Sequence, residues 1–208
     1  MKKIPSLFVR DHDTHLSLRS INPECAWVVA GHGVATHKLD GTSCAIIGGE
    51  LYKRYDFKPG RTPPAGWIPC EPDRDPITGH WPGWLLVGHT NEDQWHREAW
   101  AWNTAEHLIP LDNGTYELLG PKVQGNPYKL PHHALTRHGA QKLTISDRTY
   151  DGLKEYLEAT HIEGIVFHHP DGRMAKVKRK DFGYRWPDPE RAPHPEVPWP
   201  RSTRPQQG

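Results

Sequence analysis

The chain has 208 residues, 26 Lys and Arg against 25 Asp and Glu, a net charge of +1, 15 His, 21 Pro, 19 Gly, 9 Trp and 3 Cys. That length suits one domain rather than two with linkers, and the balanced charge excludes nucleic-acid affinity from the field of the whole molecule, so any such affinity needs a local basic surface. Cys25, Cys44 and Cys70 show no metal-ligand spacing and point to a reduced compartment, and no apolar run is long enough to span a bilayer or serve as a signal peptide, so a cytoplasmic protein is expected.

In chain order, Trp27-Val28-Val29-Ala30 and Val34-Ala35-Thr36 read as β-prone. Cys44 to Ile47, Gly48-Gly49 and Leu51 to Phe57 read as a hairpin with a glycine turn, with Leu51, Lys53, Tyr55 and Phe57 on one face. Lys58 to Pro82 holds six prolines before Pro82 and reads as a long insert at about 58–82. Thr90 to Asp93 looks like a helix start, followed by Trp95, Ala99 and Trp102 at helical spacing, where core packing is the preferred reading of the tryptophans over base stacking. Ser146 or Asp147 can cap a second helix that buries Tyr150, Leu153 and Leu157 and ends near Thr160 to Gly164. A hairpin follows, Gly164 to Phe167 and Met174 to Lys180, and alternation puts Lys176, Lys178 and Lys180 on one face. From Trp186 to Gly208 seven of 23 residues are proline, which forbids helix or interior strand and suggests an extended tail pinned by Trp186 and Trp199. The element mix is α+β.

Three lysines on one strand face repel each other, and the plain reading is a solvated edge strand guarded by charge. The chain also carries Lys38-Leu39-Asp40-Gly41, Tyr116-Glu117-Leu118-Leu119-Gly120, Glu163-Gly164-Ile165-Val166-Phe167 and Lys176-Val177-Lys178, in that order. With these four ordered motifs the sequence resembles the covalent nucleotidyltransferases, the superfamily of ATP-dependent DNA and RNA ligases and GTP-dependent capping enzymes. Within it the chain is most similar to small RNA ligases related to the 5′-to-3′ RNA ligase 1 type. The stretches that carry this likeness run from Gly33 to Thr42, Leu51 to Asp56, Gly79 to Trp84, Glu117 to Tyr128 and Lys178 to Gly183, within about residues 27–186. Thr42-Ser43-Cys44 replaces the arginine usual after this motif in DNA ligases, which favours RNA, whereas His37 stands where RNA ligases often have Glu.

The resemblance implies an α+β nucleotidyltransferase core, an ATP-grasp-like ligase adenylation fold of antiparallel sheets with flanking helices, over 1–186. With a Pro-rich tail at 187–208, no appended oligonucleotide-binding barrel is expected. It implies Lys38 as the nucleophile toward the α-phosphorus of ATP. A free lysine has a pKa of about 10.4, so the role needs burial or neighbouring positive charge to favour the neutral amine. The nucleotide-binding set is Asp40, Gly41, Arg54, Glu117, Lys176 and Lys178. Glu163 and Asp40 are the candidate ligands for Mg²⁺ or Mn²⁺, Glu117 is the expected sugar contact, and Arg54 is expected to reach the ribose or the phosphates. Arg61, Arg74, Arg173, Arg179 and Arg185 are candidate RNA phosphate contacts, and Lys180 faces RNA or solvent. The implied substrates are ATP and RNA with 5′-phosphate and 3′-hydroxyl ends, for a monomeric enzyme acting off the membrane. A DNA-joining or capping enzyme, or a non-catalytic RNA-binding module on the same fold, are the alternatives. The paired histidines, such as His132-His133 and His168-His169, lack a third ligand at zinc spacing.

Overall fold

The computed structural model describes residues 3–76, 78–105, 111–188 and 190. These form an α+β architecture of mostly antiparallel sheets with few helices. It falls into two compact units. One is built on Gly41–His138, the inserted unit; the other joins Ile4–Asp40 to the chain from Gly139 onward, the split unit. The Pro-rich tail lies outside the described residues from 191 on, Trp199 included.

The split unit begins with a ribbon of β1 (Phe8–Arg10) and β2 (Ser17–Ile21). The next segment departs from its sequence reading, because Trp27-Val28-Val29 is not strand but lies in α1 (Ala26–Val29). Asn22 accepts from Glu24 N with its side chain and Pro23 occupies the first helical position, so a helical turn is already started there. Trp27 and Val28 then bury themselves in the core, which outweighs their strand preference. β3 (Val34–Lys38) follows and leads into the inserted unit.

The inserted unit opens with β4 (Thr42–Ile47) and β5 (Glu50–Phe57), joined through Gly48 and Gly49 at φ +60° and +83°, the left-handed pair that a two-residue hairpin turn demands. β6 (Ile68–Pro69), β7 (Trp81–Leu86), α2 (Gln94–Ala105), β8 (Gly114–Leu119) and β9 (Ala134–Arg137) complete it. Its six-stranded sheet runs β6-β7-β5-β4-β8-β9. The Pro-rich insert packs on the sheet: the Trp67 indole donates to Tyr55 O and fits against Gly83, where a Cβ would lie 2.2 Å from the ring. Arg74 stacks over Phe57 and Trp81. On α2, Ala99 joins the core with Cys44, Ile46, Tyr116, Leu118 and Leu135, whereas Trp95 and Trp102 are only half-buried. The buried residues of α2 are His96, Ala99 and Asn103, so the core reading of the tryptophans holds only for Trp95, and there only at the rim.

Back in the split unit, α3 (Tyr150–Ala159) buries Leu153 and Leu157 completely. Its cap is Thr149, whose hydroxyl accepts from Gly152 N, and not Ser146 or Asp147; the Asp147 carboxylate instead holds Thr149 N. β10 (Gly164–His168) is central between β3 and β11 (Met174–Lys178), antiparallel to both. β11 stops two residues earlier than alternation predicts, because Asp181 accepts from Lys178 N and turns Arg179–Phe182 into a 3₁₀ turn. Lys180 thereby leaves the lysine row. Arg179 is buried, its guanidinium donating to Leu157 O, Thr160 O and Arg185 O around the end of α3, so it is a helix cap and not a phosphate contact.

Candidate active site

Register brings the lysines together. On β10, Gly164 pairs with Lys38 of β3 on one side and Lys178 of β11 on the other, and two residues along Val166 pairs with Thr36 and Lys176. The intervening residues Ala35, Ile165, Phe167, Ala175 and Val177 point into the core, so the lysines occupy the opposite face. Only glycine fits at 164, since a Cβ there would lie 2.4 Å from Val177 O and 2.9 Å from Lys178 Cα. This close approach sets the spacing of the two lysines.

Glu163 lies between them. Lys38 Nζ donates to its Oε2 at 2.5 Å and Lys178 Nζ lies 3.4 Å from its Oε1, with the carboxylate side chain 7% exposed and the two lysines 21% and 34%. Burial pushes the Glu163 carboxyl above the ordinary glutamate range, against the opposing pull of Lys38 and Lys178. The nucleophile candidate thus sits in a partly desolvated cluster with a second ammonium nearby and a proton acceptor in direct contact.

The guarded-edge reading of the lysines meets a physical objection here. β11 is not a bare edge at Lys176, because Lys176 N donates to Pro5 O and Leu7 N donates to Lys176 O. Asp40, two residues after Lys38, accepts from the Trp186 indole at 2.8 Å, and Trp186 is 4% exposed. Sequence reading marked Trp186 only as a pin for the tail; its hold on Asp40 was not legible there.

In the inserted unit Gly41 and Glu117 meet. Gly41 N donates to Glu117 Oε1 at 3.0 Å, and His138 Nε2 lies 2.7 Å from Glu117 Oε2. A Cβ at Gly41 would come within 2.3 Å of Leu118 O and 2.8 Å of Glu117 Cγ, which explains glycine at this position. Gln124 donates to Gly41 O at 3.4 Å. Arg54 pairs with Asp56 at 2.5 Å and stacks over Trp84. The predicted residues therefore form one cluster in the split unit, Lys38, Glu163 and Lys178 with Lys176 on the same face, and a second in the inserted unit at Gly41 and Glu117. His138 and Gln124 were missed, since an isolated histidine or glutamine in a loop carries no pattern.

The carboxylate oxygens of Glu163 and Asp40 are donors of the kind a hard cation takes. Glu163 offers shielded carboxylate oxygens, and no group of three His, Cys, Asp or Glu among the described residues could cage a metal. Mg²⁺ in phosphoryl-transfer sites commonly takes only one or two carboxylates and keeps several waters.

A family model described as RNA ligase 1 matches residues 104–195. RNA ligase 1 of Rattus norvegicus is 26% identical across 91% of this chain and 83% of its own length. RNA ligase 1 of Danio rerio is 25% identical across 89% and 82% respectively. RNA ligase 1 of Pongo abelii is 32% identical across 65% of this chain and 52% of that protein. Together these matches make the chain similar to RNA ligases over most of its length.

Proposed function

We propose that this chain is an ATP-dependent RNA ligase built on a covalent nucleotidyltransferase core, joining RNA 5′-phosphate and 3′-hydroxyl ends through a lysyl-AMP intermediate. The observation that carries the reading is the cluster of Lys38 and Lys178 on either side of buried Glu163. In the first step the Lys38 amine attacks the α-phosphorus of ATP, a P–N bond forms and the P–O bond to pyrophosphate breaks. The ammonium proton must leave to solvent before attack, and the positive charge of Lys178 beside Lys38 favours the neutral amine. Lys178 and Lys176 offer positive charge to the phosphate oxygens as the transition state forms. Glu163, with Asp40, would hold Mg²⁺, which supplies further neutralisation of the phosphates when bound. Glu117 has lone pairs beyond those used by Gly41 N and His138 with which to accept ribose hydroxyls. AMP then passes to an RNA 5′-phosphate, and an RNA 3′-hydroxyl attacks with loss of AMP.

Mass spectrometry of the protein incubated with ATP and Mg²⁺ should show one AMP adduct, on Lys38, absent from Lys38→Ala. An adduct of equal yield in the variant removes the assignment. Parallel reactions with GTP, nicked DNA and 5′-phosphorylated RNA separate a capping or DNA-joining activity from RNA joining.

A further inference from the structure

Within the inserted unit, α2 carries Trp95, Glu98 and Trp102 on one stripe, and the segment after β8 brings Lys122, His132 and His133 against it. These line a cavity of about 560 Å³, in the range of ligand sites. Trp95 stacks on His133 with ring centres 4.7 Å apart and planes at 21°, and Trp102 stacks on His132 at 4.3 Å and 19°. The inner pair is built into the fold. His133 is buried, its Nδ1 lies 2.8 Å from the Glu98 carboxylate, and its ring passes over Gly120, where a Cβ would lie 2.5 Å from it. In the outer pair Trp102 is half-buried and His132 exposed. Glu98 is engaged by His133, while Lys122 has no ion-pair partner among the described residues.

The groove is separate from the Gly41 and Glu117 cluster. Tyr116 and Leu118 pack with Ala99 of α2, so Glu117 between them faces the other side of β8.

We infer that this groove holds an unpaired base of the RNA strand, stacked on the Trp102–His132 pair, with Lys122 meeting the adjoining phosphate; the identity of the strand rests on the ligase function proposed above. Parallel indole and imidazole planes present a flat π surface of the kind that takes any nucleobase, and a cation at its margin complements a phosphate. A proline-rich peptide also uses tryptophan grooves, but its apolar ridge makes no use of the Lys122 charge.

The test is fluorescence anisotropy of the full chain with a short 5′-phosphorylated single-stranded RNA in the absence of ATP. Trp102→Ala should weaken binding about 5- to 100-fold, the loss of one stacked base, and Trp102→Phe should recover most of it. Lys122→Ser should lower affinity and flatten its salt dependence. Ultraviolet cross-linking of the unmodified protein should place RNA on Trp102, His132 or their neighbours, a readout that needs no variant to fold. Unchanged RNA affinity in Trp102→Ala, a cross-link confined to other segments, or a proline-rich peptide lost with Trp102 while RNA is retained overturns the inference. The AMP adduct on Lys38 needs no RNA and is scored on the same protein: its absence sinks the ligase reading while anisotropy still decides the groove.

Discussion

At Gly164 a missing side chain decides where two charged ones go. Gly164→Ala must push Val177 O away or displace β10, at about 2 kcal/mol, and either movement alters the approach of Lys38 and Lys178 to Glu163. Thermal unfolding should report the first effect, and the yield of the AMP adduct, falling more than stability alone explains, the second. Lys178→Ala should leave Lys38 in place and slow adduct formation by about 100-fold, the usual scale for removing one charge-stabilising group. Glu163 makes a prediction in pH. A carboxyl whose folded pKa is raised contributes stability below its unfolded value and gives it up as pH rises through the folded one. The unfolding midpoint of the wild type should therefore fall relative to Glu163→Gln as pH is raised from about 4. A flat difference between the two would show that Lys38 and Lys178 cancel the effect of burial.

At the scale of elements, the hairpin of β4 and β5, the start of α2, the buried face of α3 and the pairing of β10 with β11 were readable from alternation, helical spacing and glycine turns, whereas the face of α2 was read correctly only at Ala99. The misreadings share a cause. The turn that leads into α1, the Thr149 cap and the early end of β11 each involve one side chain bonding to backbone, Asn22, Thr149 and Asp181, which periodicity does not register. The candidate residues were legible because their motifs are contiguous. Their partners Trp186 and His138 are not, since each reaches its carboxylate from far along the chain. β5 adds an unforeseen contact: Lys53, on the face shared with Leu51 and Phe57, donates to Asp93 Oδ1 at 2.6 Å, and Gly88 N donates to its Oδ2 at 2.7 Å. Burial raises the Asp93 pKa, but these two hydrogen bonds outweigh it and the net shift is downward. Its stabilisation is then present above about pH 4 and lost as pH falls through the lowered folded value. Lys53→Met, which strands a buried carboxylate, should cost about 3 kcal/mol at neutral pH in denaturant unfolding and lose less on acidification than the wild type does.

On the scale of the whole molecule, the chain leaves the split unit after Asp40 and returns at Gly139, so the bulk of the inserted unit, 41–138, is one continuous stretch. In the split unit the departing and returning segments run side by side, with His37 N bonded to Gln141 O and Leu143 N to Ala35 O. Residues 41–138 expressed alone should consequently fold, shown by a cooperative thermal transition; failure to do so would mean that the stretch depends on its host. The first and last residues of that stretch are Gly41 and His138, and both hold the same side chain, one on each oxygen of Glu117. A single carboxylate thus acts as the clasp of a purse, fastening the entry and the exit of the inserted unit at one point. Anything that draws on those two oxygens, a bound sugar included, pulls on both ends of the loop at once, and nucleotide occupancy would be felt as faster hydrogen exchange at Gly41.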